Sequence, residues 1–501
     1  MTDTIEFTSA GSDQAAIPGG GDQPRLYIGG TWVEPHSAET LQVYSPATGE
    51  RVGSVPAADA ADVDRAVATA REAFEAGVWS ALPPSKRADV LAKAADLIDA
   101  RSAEITALVS AEMGAPPSSV ATLQQLPGTG VLRAYASAAR DYAWEEYRTG
   151  LFGTTRVTRE PVGVVGAITA WNVPLFLVCN KFGAALAAGC SVVLKPAPET
   201  PLTANLLAEI FTEAGVPAGV ISVVPGGTTT GEALVANSDA DKITFTGSTA
   251  AGRAIGAACA QTLKRCSLEL GGKSAAIVLD DVDIAANAGM LTFLGLFNTG
   301  QACVAQTRIL VPRSRHDEIV DAIVSAAKAM TVGLPSDPDV QLGPLISDRQ
   351  RERVEGYIEE GKKAGATAAL EGTRPDGLDS GYFLTPTVFT GVTNDMSIAR
   401  EEIFGPVLSV IAYDDVDEAI AIANDSDYGL AGSVWTSDIP RGIEISTRIR
   451  TGTFGINWYA IDPESPFGGY KDSGIGRENG REGIESFLEH KSTMLPMGYQ
   501  P

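Results

Sequence analysis

The chain has 501 residues, 38 Lys and Arg against 62 Asp and Glu, and a formal net charge of −24. That length suits about three structural units, and so acidic a surface repels nucleic acid phosphates and anionic lipid alike, which excludes nucleic acid and membrane surfaces as expected partners. With 44% hydrophobic and 20% charged residues the composition is that of a globular protein.

Residues 1–24 are rich in Gly, Ser, Asp and Pro without hydrophobic periodicity, and a mobile arm is expected there. The opening MTDTIEFTSAGSDQ has neither a cationic nor an apolar stretch of secretory type, so a cytoplasmic protein is expected. Val63, Ala66, Val67, Ala70 and Phe74 recur at helical spacing up to Gly77, and a second helical pattern fills Ser85 to Met113. Residues 142–162 read as two strands about a turn carrying Thr149, Gly150 and Gly153. Such a hairpin has edges to cover, and the closing stretch GIESFLEHKSTMLPMG is expected to cover one in a neighbouring subunit.

Between Gly163 and Leu270, β-branched runs (GVVGAIT, SVVLKP, ISVVPG, KITFTG) alternate with Ala-rich amphipathic segments. Strand and helix in turn predict a parallel sheet with helices on both faces and a ligand crevice beyond the carboxyl ends of the strands. A second alternation starts at SAAIVLD and TRILVPR, continues through a helix at 315–331 and resumes after the Gly/Pro-rich stretch 372–387. The richest apolar region, Val162 to Leu194, is interrupted by Gly163, Gly166, Asn172, Pro174, Asn180, Lys181 and Gly183, so no transmembrane helix is expected.

Cys179, Cys190, Cys259, Cys266 and Cys303 form no Cys-x-x-Cys, and His36, His316 and His490 lie far apart. Neither a disulfide framework nor a metal centre is expected. Cys303, in FNTGQACVAQTR, follows Gly300 and stands beside Ala302, a setting that can expose a thiol for attack on a carbonyl. The other four cysteines read as buried and inert. Glu269 precedes GGKS at the end of a strand-like run; a phosphate loop would need glycine at 267, where this chain has Ser267. FTGSTAAG, Phe245 to Gly252, reads as strand, turn and helix start, either a plain connection or a cradle of N–H groups for a pyrophosphate. Lys195, at the end of SVVLKP, reads equally as a surface lysine or a donor to sugar hydroxyls.

From about Leu26 onward the order and wording of AITAWNVPL, LKPAPETP, FTGSTAAG, LELGGKS, FNTGQACV, EEIFGPV and SPFGGYKDSGIGRE resemble the aldehyde dehydrogenase superfamily, in its non-acylating, NAD(P)-dependent form. The resemblance implies an α/β fold of two doubly wound parallel-sheet domains, one Rossmann-like for the cofactor and one catalytic, with a β-hairpin oligomerisation element. The boundaries expected are 25–140 with 161–270 for the cofactor, 271–470 for catalysis, and 141–160 with 484–501 for assembly into a homodimer or homotetramer. It implies oxidation of an aldehyde to a carboxylic acid: Cys303 as nucleophile, Asn172 as oxyanion donor, Glu269 as general base for thioester hydrolysis, and Lys181 with Glu478 as either a proton relay or a structural ion pair. Lys195, Gly247, Ser248, Gly252, Trp171, Glu402 and Phe404 are implied at the cofactor, and no metal is.

Two departures stand out. Ala170 replaces a usual proline before Trp171, and Pro198 stands where NAD-preferring members often carry an acid, with Glu199 one place later. NAD is expected, with NADP possible, because no Arg lies close in sequence to attract a 2′-phosphate. Val173, Leu177, Phe297, Trp458 and Phe467 imply an apolar tunnel for an aliphatic or aromatic aldehyde. The rival activities are a CoA-acylating dehydrogenase and a thiol esterase without redox function.

Overall fold

A computed structural model describes residues 17–499. Residues 1–16 of the expected arm lie outside the described residues, and from Ile17 the chain departs from that expectation. Ile17 packs on the main apolar cluster, Gly21–Asp22 runs parallel to Arg51–Pro56, and Ser54 Oγ donates to Asp22 at 2.8 Å. Gly and Asp favour no strand by themselves; the neighbouring strand imposes the conformation through its backbone groups.

Two large sheets carry the molecule. The first has eight strands in the order Gly474–Ile475, Arg265–Glu269, Lys242–Thr246, Val164–Ile168, Ser191–Lys195, Ile221–Val223, Leu26–Ile28 and Thr31–Val33. Its middle five are mutually parallel, and those from 164 to 223 are buried along their whole length, which accounts for their continuous apolar runs. The parallel part starts at Val164–Ile168, adds two strands on one side, and then returns to add Lys242–Thr246 and Arg265–Glu269 on the other. This reversal opens a crevice at the carboxyl ends of the central strands.

The covering helices obey local rules. Pro174–Ala188 and Pro201–Ala214 each begin at a proline, whose missing N–H costs nothing in a first turn. The former ends at Gly189, with φ of 98°, a conformation that glycine adopts without strain. Pro174–Ala188 is apolar nearly all round and wholly buried, so Asn180 and Lys181 are carried into the interior.

The second sheet has seven strands, Thr367–Leu370, Thr387–Thr390, Val407–Tyr413, Arg308–Pro312, Ala275–Val278, Gly432–Trp435 and Gly455–Ile456, all parallel except the first. The expected hairpin is present as Glu145–Gly150 and Gly153–Pro161. The closing strand Leu488–Met494 pairs with Gly153–Pro161 of its own chain, from Leu488 opposite Pro161 to Met494 opposite Thr155, which corrects the expectation of a neighbouring subunit. Hairpin and tail are adjacent because the short helix Gly480–Glu485 packs against Leu126–Asp141 and returns the chain to the hairpin's base.

One buried carboxylate anchors the helix that follows Lys195. Glu112 accepts from the backbone N–H groups of Leu202 and Thr203 at 2.7 and 2.9 Å, satisfying donors that the first turn leaves free. Glu112→Leu strands both donors in the interior, and a loss of about 2–4 kcal/mol, read as a lower midpoint in thermal or urea unfolding, is the expected outcome.

Candidate active site

The side chains singled out in the sequence gather where the carboxyl ends of the first sheet meet the second. Ile168 ends its strand, and the next residues form a loop in which Asn172 is buried. Asn172 Nδ2 donates to the carbonyl of Gln301 at 3.1 Å, while Asn298 Nδ2 donates to the carbonyls of Asn172 at 2.9 Å and Gln301 at 3.1 Å. These bonds tie the loop to the segment leading into Cys303. Asn298, Thr299 and Gly300 all have positive φ, of 53°, 58° and 70°, so the backbone turns left-handed three times running just before the thiol. Gly300 is required in that turn, since a Cβ there would lie 2.1 Å from the carbonyl oxygen of Gly405.

Cys303 is half-buried. Burial raises its thiol pKa, and the carboxylates of Glu402 and Glu269 raise it further. Glu269 ends the strand Arg265–Glu269, is only 4% exposed, and has no hydrogen-bond partner on either carboxylate oxygen. Burial pushes its pKa well above the carboxylate range and Glu478 adds to the push, with Lys181 and Arg477 opposing. Gly272 brings the two segments together, because a Cβ there would lie 2.2 Å from the carbonyl oxygen of Cys303.

Lys181 and Glu478 form a buried ion pair within a larger network. Asn180 Nδ2 donates to Glu478 at 2.7 Å, Lys181 Nζ donates to Thr244 Oγ1 at 2.9 Å, and the Tyr135 hydroxyl donates to Asn180 Oδ1 at 2.6 Å.

Beside this cluster, Glu402 accepts from the N–H of Gly272 at 2.9 Å, and burial raises its pKa to about 7. Gly271 makes room for it, since a Cβ there would meet its carboxylate at 2.4 Å. Phe404 meets Trp171 edge to face, with ring centroids 5.3 Å apart. Lys195 lies buried at the end of its strand, its pKa lowered to about 8 by burial, with Glu199 acting against the shift. The N–H of Gly247 donates to the carbonyl of Glu269 at 3.0 Å, fixing the turn before the helix Thr249–Gln261. Ser248 caps that helix, its hydroxyl accepting from the N–H of Ala251 at 3.3 Å, and the N–H of Gly252 donates to the carbonyl of Ser248 at 2.9 Å.

An apolar wall of Val304, Leu430, Ala431 and Phe467, with Phe297, Tyr459 and Ile461, packs against Cys303. Leu177 and Val173 stand on the neighbouring large cluster. Trp458 does not join the wall, being 63% exposed; the adjacent Tyr459 takes the inner position. Among the described residues no helix is long and apolar enough to cross a membrane, and no group of three or more His, Cys, Asp or Glu is placed to hold a metal ion.

Several residues of the site escaped the sequence reading. Gly468, inside the quoted SPFGGYKDSGIGRE, has φ of 150°, and a Cβ there would lie 2.7 Å from Glu269 Oε1. Asn298 and Gln301, inside FNTGQACV, brace the Cys303 loop, Gln301 Oε1 accepting from the N–H of Ile346 at 2.9 Å. Their motifs were visible; the contacts that give them purpose are not local in sequence. Tyr135 carried no signal at all.

Residues 32–493 match the aldehyde dehydrogenase family. The chain belongs to that family. It is 46% identical over 475 residues to a geranial dehydrogenase of Castellaniella defragrans, covering 95% of this chain and 99% of the relative. It is 45% identical to a 3-succinoylsemialdehyde-pyridine dehydrogenase of a Pseudomonas species, covering 96% and 99% of the two. Among solved structures, a Mycobacterium tuberculosis aldehyde dehydrogenase complexed with NAD+ superposes with a TM-score of 0.95 at 58% identity, over 96% of this chain and 100% of that one. A Pseudomonas syringae aldehyde dehydrogenase in complex with NAD+ and octanal gives 0.91 at 41%, over 94% and 96%. As a member of the family the protein is an oxidoreductase, an NAD(P)-dependent aldehyde dehydrogenase.

Gly468→Ala tests the packing around Glu269. The added methyl group and the unfavourable φ displace Glu269, and kcat is expected to fall about tenfold or more while the far-UV circular dichroism spectrum stays unchanged.

Proposed function

We propose that Cys303, Glu269 and Asn172 oxidise an apolar aldehyde to its carboxylic acid with NAD. The single observation that carries the assignment is the meeting, at the seam of the two sheets, of a half-buried thiol, a buried carboxylate without a partner, and an amide tied to the thiol's own loop.

The thiol sulfur of Cys303 attacks the aldehyde carbon, giving a thiohemiacetal. Asn172 Nδ2 and the N–H of Cys303 are the donors for the oxygen that gains charge, an effect typically worth about 3 kcal/mol of barrier per donor. For the dinucleotide, the N-terminus of Thr249–Gln261 with Gly247, Ser248 and Gly252 suits the pyrophosphate, Lys195 a ribose, and Glu402 with Phe404 and Trp171 the nicotinamide end. The residues fit the group: a Cβ at Gly271 would fill the recess that holds Glu402, and the Lys195 ammonium is desolvated where a sugar can replace its water. Bound there, the nicotinamide supplies the hydride acceptor that leaves Cys303 as a thioester. Glu269 then takes a proton from the water that attacks the thioester, and Glu478 with Lys181 carries that proton away.

The raised pKa of Glu269 suits this role, since it makes the carboxylate a stronger base toward water than an ordinary one. The wall of Val304, Leu430, Ala431 and Phe467 supports an aliphatic or aromatic substrate, which the geranial and octanal named for two of the relatives resemble. Leu151 and Phe152, 90% and 88% exposed at the hairpin tip, support self-association as a homodimer or homotetramer through the segments 141–160 and 484–501. The division into a cofactor unit, 25–140 with 161–270, and a catalytic unit, 271–470, rests on the same two sheets.

Following NADH absorbance with an aldehyde tests the reading. Reduction is expected without CoA, and Cys303→Ala abolishes it; dependence on CoA would assign the acylating reaction instead. Glu269→Gln is expected to give about one NADH per site and then slow at least about 100-fold, since acylation survives and hydrolysis does not.

The pH dependence follows from the signs of the shifts. Both Cys303 and Glu269 act as their deprotonated forms and both have raised pKa values, so the rate is expected to climb with pH from the acidic side through neutrality and beyond. A plateau reached already in the ordinary carboxylate range would contradict it. Rates with a hydrophobic aldehyde series are expected to exceed those with succinic semialdehyde.

A further inference from the structure

Away from the catalytic cluster, the helix Thr249–Gln261 lies along the strand Arg265–Glu269, and their contacts form a ladder. Gly252, Gly256 and Cys259 fall on one face of the helix, spaced by four and then three residues. Leu270, Leu268 and Cys266 fall on one face of the opposing chain, spaced by two. A Cβ at Gly252 would lie 2.4 Å from Leu270 Cδ2, and one at Gly256 would lie 3.5 Å from Leu268 Cδ1. The third rung places Cys259 opposite Cys266, with Cys259 in an apolar cluster and Cys266 packed against it. The two glycines bring the helix close to the strand, and the turn between the sulfurs is tied by the N–H of Lys264 donating to the carbonyl of Cys259 at 2.9 Å.

The two thiols are unequal. Cys259 is buried, whereas Cys266 is partly exposed, on a strand whose outer neighbour Gly474–Ile475 pairs only with Leu268 and Glu269. The neighbouring Cys259 and the Lys242 ammonium hold Cys266 below the ordinary thiol range, against the effect of its burial. Cys259 is correspondingly raised. A partly exposed cysteine with a lowered thiol pKa, backed by a sheltered second cysteine, is the arrangement of a peroxide-reactive thiol with its resolving partner. Cys259 is buried as expected, whereas Cys266 is not.

We propose that Cys266 and Cys259 form a reversible oxidation site for hydroperoxides that closes to an intrachain disulfide, separate from the catalytic thiol. The Cys266 sulfur attacks a peroxide oxygen and the O–O bond breaks; the leaving alkoxide takes the Cys266 proton, and Cys266 becomes a sulfenic acid. The Cys259 sulfur then attacks that of Cys266 and the S–O bond breaks. The departing hydroxide takes the Cys259 proton as water, and the S–S bond forms. Two thiols lose two electrons, and one hydroperoxide is reduced to an alcohol and water. The disulfide fastens the end of the helix capped by Ser248 to the strand that ends in Glu269.

The test uses the full chain as Cys303→Ala, so that oxidation at 303 does not interfere. After hydrogen peroxide, remaining thiols are alkylated and the tryptic peptides weighed. Peptides 254–264 and 266–273 are expected joined, lighter by two hydrogens than their sum, and separated again by dithiothreitol. In the same background Cys259→Ser is expected to lose the linked species and to trap Cys266 as a dimedone adduct, at least about tenfold above the level with Cys259 present. Full alkylation of both cysteines after peroxide would overturn the proposal. So would Cys266 reaching the sulfinic acid while Cys259 remains free. The linked peptides are read from a chain carrying both native thiols, so failure of the serine variant to fold leaves that result decisive.

Discussion

A carboxylate buried without a hydrogen-bond partner is the constraint around which this protein is built. Leaving a charged group so placed costs several kcal/mol, and that cost raises the pKa of Glu269 well above the carboxylate range. Its neighbours are arranged so that none stabilises the anion by a direct bond. Lys181, the nearest buried ammonium, is claimed by Glu478 and Thr244, and Glu478 itself contributes a repelling charge. The backbone approaches Glu269 at Gly468, where any side chain would intrude. A base that must take a proton and then surrender it needs such an environment, since a firmly paired carboxylate would be too weak to take one.

The seam between the sheets follows from the same requirement. Glu269 ends a strand of the eight-stranded sheet, while Cys303 belongs to the segment that leads into Arg308–Pro312 of the seven-stranded one. Gly271 and Gly272 cross from one to the other within two residues. The first makes room for Glu402 and the second for the carbonyl of Cys303, so the crossing also packs two other parts of the site. The left-handed run at Asn298 to Gly300 is strain concentrated where the thiol is presented, and the amides of Asn172 and Asn298 hold it in place. Nucleophile and base come from different sheets, so their separation is set by how the sheets pack.

The parallel strands from 164 to 269 were legible because strands covered on both faces need continuous apolar runs, and the turns between them need glycine or proline. Cys303 and Glu269 were legible through the motifs around them. Gly21–Asp22 was not, since its order comes wholly from a partner strand some thirty residues on. The closing strand was recognised as a strand that covers the hairpin, but which copy of the chain it covers is a question of topology that periodicity does not contain. Gly468 and Tyr135 were missed for a related reason: their importance lies in what approaches them, Glu269 in one case and Asn180 in the other. Cys259 and Cys266 lie seven apart, a spacing without a familiar motif, and become a pair only when the helix folds back on the strand.

The charge around the thiol also bears on substrate choice. Cys303 already stands in the field of Glu269 and Glu402, strongly enough that both raise its pKa. An anionic substrate would bring a third carboxylate toward this pair, within a chain of net charge −24, and would leave its own water to enter a wall of Val304, Leu430, Ala431 and Phe467. An apolar chain meets neither penalty and gains roughly 0.8 kcal/mol for each methylene buried there. The electrostatics around Glu269 therefore support the proposal of a neutral, hydrophobic aldehyde at Cys303.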